Sequence, residues 1–339
     1  MPRIAIDAMG GDKAPAVVVQ GAWRVASEQP EWQMLLVGDE AAISAELAGC
    51  EKPLPNIHVI HAPEVIGMEE HPVEALKSKR NASLPIAVGL VREGKADAVI
   101  SAGNTGALVA ASTLMLRTLP GVRRAGILTT LPTLRGRIVI MDVGANVAAK
   151  ASHIAQYAAM GDIFYRNLLA DESDKVHVSL LSVGSEEGKG SPVIKEAHAL
   201  LSNSELDFRG NIEGHEVFAG ASEVIVCDGV VGNVVLKTAE GLCEILVKMF
   251  VQHATKAGLG EDERFMTTLK TMSRDLDWQE VGGAALLGVK GTVVIAHGRS
   301  DERAIASGIR TAADCCNKHV NDKIIEALAR EATKAGATQ

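Results

Sequence analysis

The feature that most constrains the fold of this chain is a repeated unit of a short apolar run, a glycine-rich turn and an apolar segment with helical spacing. The clearest copy is CDGVVGNVVLKTAEG, residues 227–241, which follows the apolar run 224–226. Its glycines interrupt the strand pattern, and helical spacing begins at Val234. Repetition of this unit predicts an α/β protein with many tight turns from strand to helix.

Composition agrees with that class and limits the kinds of partner. The chain has 339 residues, of which 47% are hydrophobic and only 3% are aromatic, which predicts a core packed from valine, isoleucine and alanine. No sequence repeat or flexible linker divides the chain, so residues 1–339 are predicted to form a single two-lobed unit. The net charge of −8 and the scarcity of aromatic side chains argue against a nucleic-acid partner.

Cysteine usage and hydropathy predict the compartment. The five cysteines show no Cys-x-x-Cys or zinc-binding spacing, which is typical of reduced cysteines in a cytosolic protein. The N-terminal apolar run is interrupted early by Asp7 and does not fit a signal peptide. No apolar run approaches the roughly 20 residues that span a bilayer. We therefore predict a cytoplasmic protein that is soluble or only peripherally attached to a membrane.

Two of the glycine turns predict anion sites, because free backbone amides and the positive end of a helix dipole would meet there. In the first turn, Asn233 can cap the helix or reach a ligand, Lys237 lies one turn further, and Asp228 is a supporting residue. The second turn follows a predicted strand at 98–101 and consists of Gly103, Asn104, Thr105 and Gly106. Ordinary helix capping also explains Asn and Gly at such positions.

Further polar residues follow other predicted strands. Asp142 and Asn146 come after the strand at 138–141, where α/β folds place ligands. Lys13 comes after the first strand and is a candidate phosphate contact. His297 follows the last predicted strand, and it is either an acid–base group or a structural histidine with its hydrogen bonds satisfied.

Lys189 lies in a glycine-rich loop, GSEEGKGSP, after the predicted strand at 176–183. The loop misses the P-loop pattern, which needs one more residue and a Ser or Thr directly after the lysine. This mismatch rejects a nucleoside triphosphatase. A lysine in such a loop can still contact an anion, because its ammonium is a mobile point charge. The alternative is a flexible surface loop.

Two surface features predict contacts with partners. Lys77, Lys79 and Arg80 form a short basic cluster near a predicted helix end, for which a solvated surface is the alternative. Residues 234–278 are predicted to form an amphipathic helical hairpin, since apolar residues recur at helical spacing on both sides of a glycine break. The hairpin either lies on the core, packs in a dimer or contacts a bilayer surface.

The motifs of several enzyme classes are absent from the sequence. It contains no G-x-G-x-x-G dinucleotide fingerprint, no G-x-S-x-G elbow and no H-E-x-x-H, and no Cys/His pair stands out. We therefore predict no covalent catalysis, no cofactor and no metal site. The Asn, Lys, Asp and Gly residues at the strand ends suit direct transfer to or from a phosphate-like oxyanion.

Six motifs in this order resemble the bacterial phosphate acyltransferase family: DAMGGD, ISAGNTGAL, DVGAN, GSEEGKG, DGVVGNVVLKTAEG and GGAALLGVKG…AHGRSD. The resemblance extends from residue 4 to about residue 312. It implies a three-layer α/β/α, Rossmann-like fold related to the isopropylmalate dehydrogenases and phosphotransacetylases, with a protruding helical hairpin. It also implies transfer of a long-chain fatty acyl group from acyl carrier protein to inorganic phosphate, which gives acyl phosphate for phospholipid synthesis.

The resemblance implies roles for particular residues and partners. Lys189 and Asn233 match positions that are catalytic in the family. A homodimer is implied, as is peripheral association of the hairpin with the inner face of the cell membrane. The acyl phosphate would then pass to a membrane glycerol-phosphate acyltransferase downstream.

The reaction implied by this resemblance needs little acid–base help. Phosphate is an anionic oxygen nucleophile at neutral pH, and a thiolate with an ordinary pKa near ~8.5 is a fair leaving group. We expect Lys189 and Asn233 to stabilise phosphate and the oxyanion, and residues 103–106 to hold phosphate together with Lys13 and Lys237. The basic cluster of Lys77, Lys79 and Arg80 is the candidate docking surface for the acidic carrier protein.

Three other interpretations remain open. One is a phosphate acetyl- or butyryltransferase that uses coenzyme A thioesters. Another is a dehydrogenase of the isopropylmalate type, which would need a divalent metal and NAD. The third is a membrane-docked scaffold for lipid enzymes without activity of its own.

Overall fold

The computed structural model describes residues 1–171, 175–259, 262–275 and 282–337. These residues form an eleven-stranded sheet with the spatial order β3-β2-β1-β4-β11-β10-β5-β6-β9-β7-β8. The strands are β1 Arg3–Asp7, β2 Gln33–Gly38, β3 Ile57–His61, β4 Ala98–Ser101, β5 Gly126–Thr133, β6 Gly136–Met141, β7 His177–Leu181, β8 Asp207–Ile212, β9 Val224–Val226, β10 Ala284–Leu287 and β11 Thr292–Ile295.

Helices follow most of the strands, as the repeated sequence unit predicts. They are α1 Ala16–Glu28, α2 Glu40–Ala48, α3 Pro72–Ser78, α4 Ser83–Arg92, α5 Thr105–Met115, α6 Ala151–Leu168, α7 Pro192–Ser202, α8 Gly229–Lys256, α9 Glu263–Asp275, α10 Glu302–Asn317 and α11 Val320–Ala337. A short 3-10 helix, Gly214–Ala219, precedes β9.

The sheet contains two parallel blocks that run in opposite directions. One block is β3, β2, β1, β4 and β11, and the other is β6, β9, β7 and β8. Between them, β10 pairs antiparallel with β11 and β5, and β5 pairs antiparallel with β6. The carboxyl ends of the two blocks therefore lie at opposite edges of the sheet.

Helices cover both faces of the sheet, because side chains alternate between faces along each strand. On one face, Val99 and Ile140 pack with Val88 of α4 and Leu108 of α5. On the other face, one cluster joins β1 and β2 to α1 and α10, and a second joins β6, β7 and β9 to α6, α7 and α11. The molecule therefore has the three-layer α/β/α arrangement.

One predicted boundary is displaced. Helical spacing predicts a start at Val234, whereas α8 begins at Gly229 with Asp228 as its cap. The predicted start is wrong because Gly229 and Gly232, taken as turn residues, lie inside the first helical turn. Spacing of apolar residues cannot detect a helical turn that is built largely from glycine.

Helices α8 and α9 lie in the range of the predicted hairpin, and their packing as a hairpin stays a prediction. Of its predicted range, residues 260, 261 and 276–278 lie outside the described part of the chain. Large apolar side chains on α8 are exposed to solvent, and these include Leu242, Ile245, Leu246, Met249 and Phe250. Among the helices that the structure describes, none combines the length and the hydropathy that crossing a membrane requires.

An ion pair joins the beginnings of two central strands and gives a pH-dependent prediction. Arg3 Nη2 lies 2.7 Å from Asp97 Oδ1, and both Arg3 Nε and its backbone N–H donate to Asp97 Oδ2. The hydrogen bond from Arg3 lowers the pKa of Asp97. Arg3→Met should therefore lower the free energy of unfolding by about 0.5–1 kcal/mol near neutral pH, since both side chains are partly exposed.

Because the pKa of Asp97 is lowered in the folded state, its stabilising effect is present above the unfolded pKa and is lost as the pH falls through the folded pKa. Urea unfolding of wild type and Arg3→Met at several pH values checks this. The difference between the two proteins should shrink at acidic pH. A difference that stays constant would show that the loss of stability does not depend on the ionised state of Asp97.

Candidate active site

Two groups of loops follow the carboxyl ends of the strands. We call the first group, after β6, β7 and β9, the β6 edge, and the second, after β1, β4 and β11, the β4 edge. The predicted residues Asp142, Lys189 and Asn233 belong to the β6 edge. The turn at 103–106 and Lys13 belong to the β4 edge.

Asp142 is the structural centre of the β6 edge. Its fully buried carboxylate accepts backbone hydrogen bonds at Oδ1 from Ile127, Gly144 and Ala145, at 2.9–3.1 Å. Oδ2 accepts from the backbone N–H and the side-chain Nδ2 of Asn146, at 2.8 and 3.1 Å. These donors compensate a charge that would otherwise be costly to bury. Asp142 therefore braces its own loop.

Asn146 fixes this loop to three other elements. Its Nδ2 also donates to the carbonyl oxygen of Ala125 at 2.6 Å and to the hydroxyl of Tyr157, on α6, at 2.8 Å. Its carbonyl oxygen accepts from the N–H of Gly229 at the start of α8. Burial and the Asp142 charge raise the pKa of Tyr157, so its phenol stays protonated. Asp142 and Asn146 thus hold this loop in place, and their supporting role in catalysis stays a prediction.

The first turn of α8 is closed by its own cap. Asp228 Oδ1 accepts from the N–H groups of Val230 and Val231 at 2.9 and 3.0 Å. The N–H of Gly229 is bonded to Asn146, and that of Gly232 to the carbonyl oxygen of Asp228. This corrects the expectation that the turn presents free amides to an anion. The helix dipole remains as a source of positive potential.

Two glycines let α8 approach the Asp142 loop closely. A Cβ atom at Gly229 would lie 2.5 Å from the carbonyl oxygen of Asn146 and 2.9 Å from Asp142 Oδ2. A Cβ atom at Gly232 would overlap the carbonyl oxygen of Asp142. Any side chain at these positions would therefore move the helix away from the loop.

Asn233 follows Gly232 on α8, next to the contact with the Asp142 loop, and it is exposed. A Cβ atom built at Gly144 would lie 3.7 Å from Asn233 Oδ1, so the carboxamide stands beside the braced loop. Within the described part of the chain, no hydrogen bond is formed by this carboxamide. It is therefore available to a ligand at the β6 edge.

Lys189 lies in the loop after β7. Its aliphatic stem lies beside Gly184, where an added Cβ would be 2.9 Å from Lys189 Cγ. The loop is tied to β8, because Asn211 Nδ2 donates to the carbonyl oxygen of Glu186 at 3.0 Å. The ammonium of Lys189 is 4.0 Å from Glu186 Oε1, and 54% of the side chain is exposed. The charge is thus only loosely paired and can reach an anion.

At the β4 edge, the side chain of Asn104 is fully engaged. Its Oδ1 accepts from the N–H of Ala107, and its Nδ2 donates to three carbonyl oxygens of the 67–70 loop at 2.9–3.3 Å. Asn104 therefore caps α5 and holds a neighbouring loop, and its role as a phosphate contact stays a prediction. Thr105 and Gly106 are exposed, and their N–H groups make no hydrogen bond within the described residues.

Helix α8 connects the two edges. Asn233 and Lys237 lie one turn apart on the same face, a spacing of about 6 Å. Lys237 pairs with Glu240 at 2.9 Å and lines a cavity together with His297 of the β4 edge. Burial, with the Lys237 charge, lowers the pKa of His297, so the imidazole is neutral near pH 7.

The same neighbourhood extends to the loop after β1. The N–H of Asp12 donates to the carbonyl oxygen of Gly298 at 2.8 Å, and Lys13 follows directly on an exposed turn. A Cβ atom at Gly10 would lie 2.7 Å from the N–H nitrogen of Gly103. Neighbouring residues therefore connect Lys237 through the 297–298 loop to the 103–106 turn. Among the described residues, no hydrogen bond joins that turn to Asn233.

The predicted basic cluster is only partly free. Lys79 Nζ lies 2.5 Å from Glu70 Oε1 and also donates to the carbonyl oxygen of Val65. Lys79 therefore stabilises its own loop, and its role in docking the carrier protein stays a prediction. Lys77 and Arg80 are exposed on the same surface.

Asp7 is the last residue of β1 and lies beneath the 103–106 turn. The Asp7 carboxylate is buried, its Oδ2 accepts from Ser101 Oγ at 2.6 Å, and Ser101 Oγ accepts from the N–H of Gly103. Burial raises the pKa of Asp7. The DAMGGD motif drew attention to this residue, but only the pairing of β1 with β4 brings it beneath the 103–106 turn.

A second basic group lies beside the Asp142 loop. The N–H of Arg123 donates to Gln156 Oε1 of α6. Burial lowers the pKa of His153, and the charges of Arg124, Lys150 and Arg123 lower it further. These residues are separated in the sequence, so their grouping depends on the packing of α6. In the ranges that the structure describes, no cluster of His, Cys, Asp and Glu could hold a metal ion.

Comparison with known proteins identifies the family. The sequence model of the fatty acid synthesis protein family matches residues 2–323. A phosphate acyltransferase from Desulforamulus reducens is 45% identical over 332 residues, which are 97% of this chain and 98% of the relative. The chain belongs to the phosphate acyltransferase family. Another family member, from Thermodesulfovibrio yellowstonii, is 44% identical over 97% of this chain and 94% of its own length.

Solved structures confirm the fold predicted for this phosphate acyltransferase family member. A phosphotransacetylase from Streptococcus pyogenes superposes with a TM-score of 0.63 at 18% identity, covering 94% of each chain. A branched-chain phosphotransacylase from Enterococcus faecalis gives a TM-score of 0.56 at 14% identity, covering 93% of this chain and 99% of that one. At such identities the similarity establishes the three-layer architecture alone.

The approach of α8 to the Asp142 loop gives a matched pair of substitutions in one helix. Gly232→Ala places a methyl group against the Asp142 carbonyl oxygen and should destabilise the protein by at least about 2 kcal/mol. Gly241→Ala, with no atom within 4 Å of the new Cβ, should stabilise it by about 0.5–1 kcal/mol through helix propensity. Chemical unfolding of both variants measures the difference, and equal effects would contradict the close packing.

Proposed function

We propose that this member of the phosphate acyltransferase family moves a long-chain fatty acyl group from acyl carrier protein to inorganic phosphate. The product is an acyl phosphate that feeds phospholipid synthesis. One observation supports the location of the reaction: β7 and β9 are neighbours in the sheet, so the loop with Lys189 and the start of the helix with Asn233 share the β6 edge.

In the proposed reaction, a phosphate oxygen attacks the thioester carbonyl carbon and forms a tetrahedral oxyanion. The carbon–sulfur bond then breaks, the acyl phosphate forms, and the thiolate leaves on the carrier and takes a proton from water. Lys189 supplies positive charge and Asn233 donates an amide hydrogen bond. Positioning of the reactants provides roughly 7–11 kcal/mol, and one oxyanion donor about 3–4 kcal/mol.

The state of the cysteines supports direct attack without a covalent enzyme intermediate. Cys227 Sγ donates to the carbonyl oxygen of Asp142 at 3.5 Å, but the thiol is fully buried, and burial raises its pKa well above the usual range. Burial also raises the pKa of Cys243 on α8. Both thiols therefore stay protonated near neutral pH and are poor nucleophiles.

Phosphate is proposed to enter along the face of α8 that connects the two edges. The exposed amides of Thr105 and Gly106 and the charges of Lys13 and Lys237 attract the anion at the β4 edge. Asn104 serves this turn as a cap. Isothermal titration of phosphate into wild type and Lys13→Ala tests this assignment, which predicts weaker binding by the variant.

The carrier protein is proposed to dock on the exposed charges of Lys77 and Arg80, with Lys79 supporting their loop. Electrostatic docking weakens as salt screens the charges. Raising the ionic strength should therefore raise KM for an acyl-carrier protein but leave KM for a small acyl thioester unchanged.

The exposed apolar stripe of α8 supports two further proposals, a homodimer through the hairpin and peripheral contact with the inner face of the cell membrane. Burial of this stripe against a second copy or a lipid surface would remove apolar area from water. Sedimentation of the protein, alone and with anionic lipid vesicles, separates these proposals. Monomers that do not bind vesicles would exclude both.

The decisive experiment follows acyl phosphate formation from palmitoyl-carrier protein and inorganic phosphate by hydroxylamine trapping. Lys189→Ala and Asn233→Ala should each lower kcat by about 10²–10³, because each removes one group that stabilises developing negative charge. Lys52→Ala is the control, since Lys52 is exposed in the loop before β3, the strand at the far margin of the sheet. It should retain nearly full activity.

Other outcomes distinguish the alternatives. Full activity of both alanine variants would remove Lys189 and Asn233 from the mechanism. Turnover of acetyl-coenzyme A in preference to the carrier thioester would indicate a phosphotransacetylase activity. Vesicle binding without any phosphate-dependent thioester cleavage would leave only the scaffold interpretation.

A further inference from the structure

A cavity of about 600 Å³ lies against α8 on the side that faces the sheet. Its apolar wall consists of Leu131 and Pro132 from β5, Phe218 from the 3-10 helix, and Leu236, Cys243 and Val247 from α8. This volume falls within the range of small-molecule binding sites, which are mostly apolar with a few polar groups. We call it the α8 cavity.

The α8 cavity lies on the same helical face as the proposed catalytic carboxamide. Asn233, Lys237, Glu240 and Glu244 recur at i, i+4, i+7 and i+11, and the last three line the cavity. The lining residues of α8 extend from 236 to 248, about 18 Å at 1.5 Å per residue. The cavity therefore begins one turn from Asn233 and leads away from it along the helix.

The charged groups at the rim are largely compensated within the cavity wall. Lys237 pairs with Glu240 at 2.9 Å, and Lys248 pairs with Glu244 at 2.5 Å. These paired groups lie at the rim, and the wall between them is formed by apolar side chains, so the wall favours an elongated apolar ligand. Arg299 is exposed at the rim, close to Glu244.

We propose that the α8 cavity binds the acyl chain of the thioester substrate, with the carbonyl carbon near Asn233 and the methyl end towards Val247. This inference rests on the proposed function, because it assigns the chain of that substrate to a defined surface. Burial of methylene groups along Leu236, Cys243 and Val247 would then set the preference for chain length. The opposite stripe of α8, with Ile245 and Met249, stays outside the cavity and takes no part in this selection.

Filling the cavity at its middle tests the proposal. Cys243→Trp places a large ring between Leu236 and Val247, where it competes with the distal part of a long chain. We expect kcat/KM for palmitoyl-carrier protein to fall by about tenfold or more, and that for hexanoyl-carrier protein to stay within about twofold. Ala239→Phe, also on the cavity wall, is a second variant in case Cys243→Trp folds poorly.

Thr238→Trp is the matched control, since it adds the same ring to an exposed position of α8 that does not line the cavity. Both chain lengths should react as in wild type. Equal loss of activity with both donors in Cys243→Trp and Ala239→Phe would overturn the proposal. Unchanged use of the long chain in both variants would overturn it as well.

A binding measurement separates this inference from the proposed reaction. Fluorescence of cis-parinaric acid, a polyene fatty acid, should report binding to wild type and Thr238→Trp, and palmitate should displace it. Binding to Cys243→Trp should be at least about tenfold weaker. If this pattern appears without any phosphate-dependent transfer, the cavity assignment stands and the proposed function fails. Equal binding to all three proteins overturns the cavity assignment, whatever the activity.

Discussion

The buried carboxylate of Asp142 is the interaction on which the rest of the site depends. Its two oxygens accept hydrogen bonds from four backbone N–H groups and one side-chain amide, all within the loop or at the start of β5. The buried carboxylate holds each of these donors in place, because moving any N–H group away would leave the negative charge with fewer hydrogen bonds. The loop is thereby rigid enough to seat α8, whose first N–H bonds to the carbonyl oxygen of Asn146.

Helix α8 transmits that fixed position to the rest of the molecule. Its first turn is packed against the Asp142 loop. Its second and third turns carry Asn233 and Lys237, and residues from Leu236 onward form the wall of the α8 cavity. The two stripes of the helix have different roles. The inner stripe faces the α8 cavity, whereas the outer stripe exposes Leu242, Ile245 and Phe250. A contiguous exposed apolar stripe commonly marks a surface that contacts a partner protein or a membrane. The outer stripe therefore supports the proposed dimer and membrane contacts.

Sequence reasoning found the elements and the family, but it missed the partners of individual side chains. Asn104 was expected at an anion site because Asn follows a strand and a glycine. Its amide is instead used by carbonyl oxygens of the 67–70 loop, more than thirty residues away in sequence. Lys79 is similarly held by Glu70. A local pattern gives the residue type and the turn, and it contains no information on which distant group will compete for the same hydrogen bonds.

The sequence by itself determined the strand–turn–helix units, the absence of known cofactor motifs and membership of the phosphate acyltransferase family, because these depend on local spacing and on ordered motifs. Only the tertiary structure decided which strand ends share an edge. The antiparallel pairings of β10 with β11 and of β5 with β10 and β6 reverse the sheet, and so separate the 103–106 turn from Lys189 and Asn233. The direction of a strand in a sheet depends on which distant strand it pairs with and on how both faces of the sheet pack. The spacing of apolar residues within one segment determines neither of these.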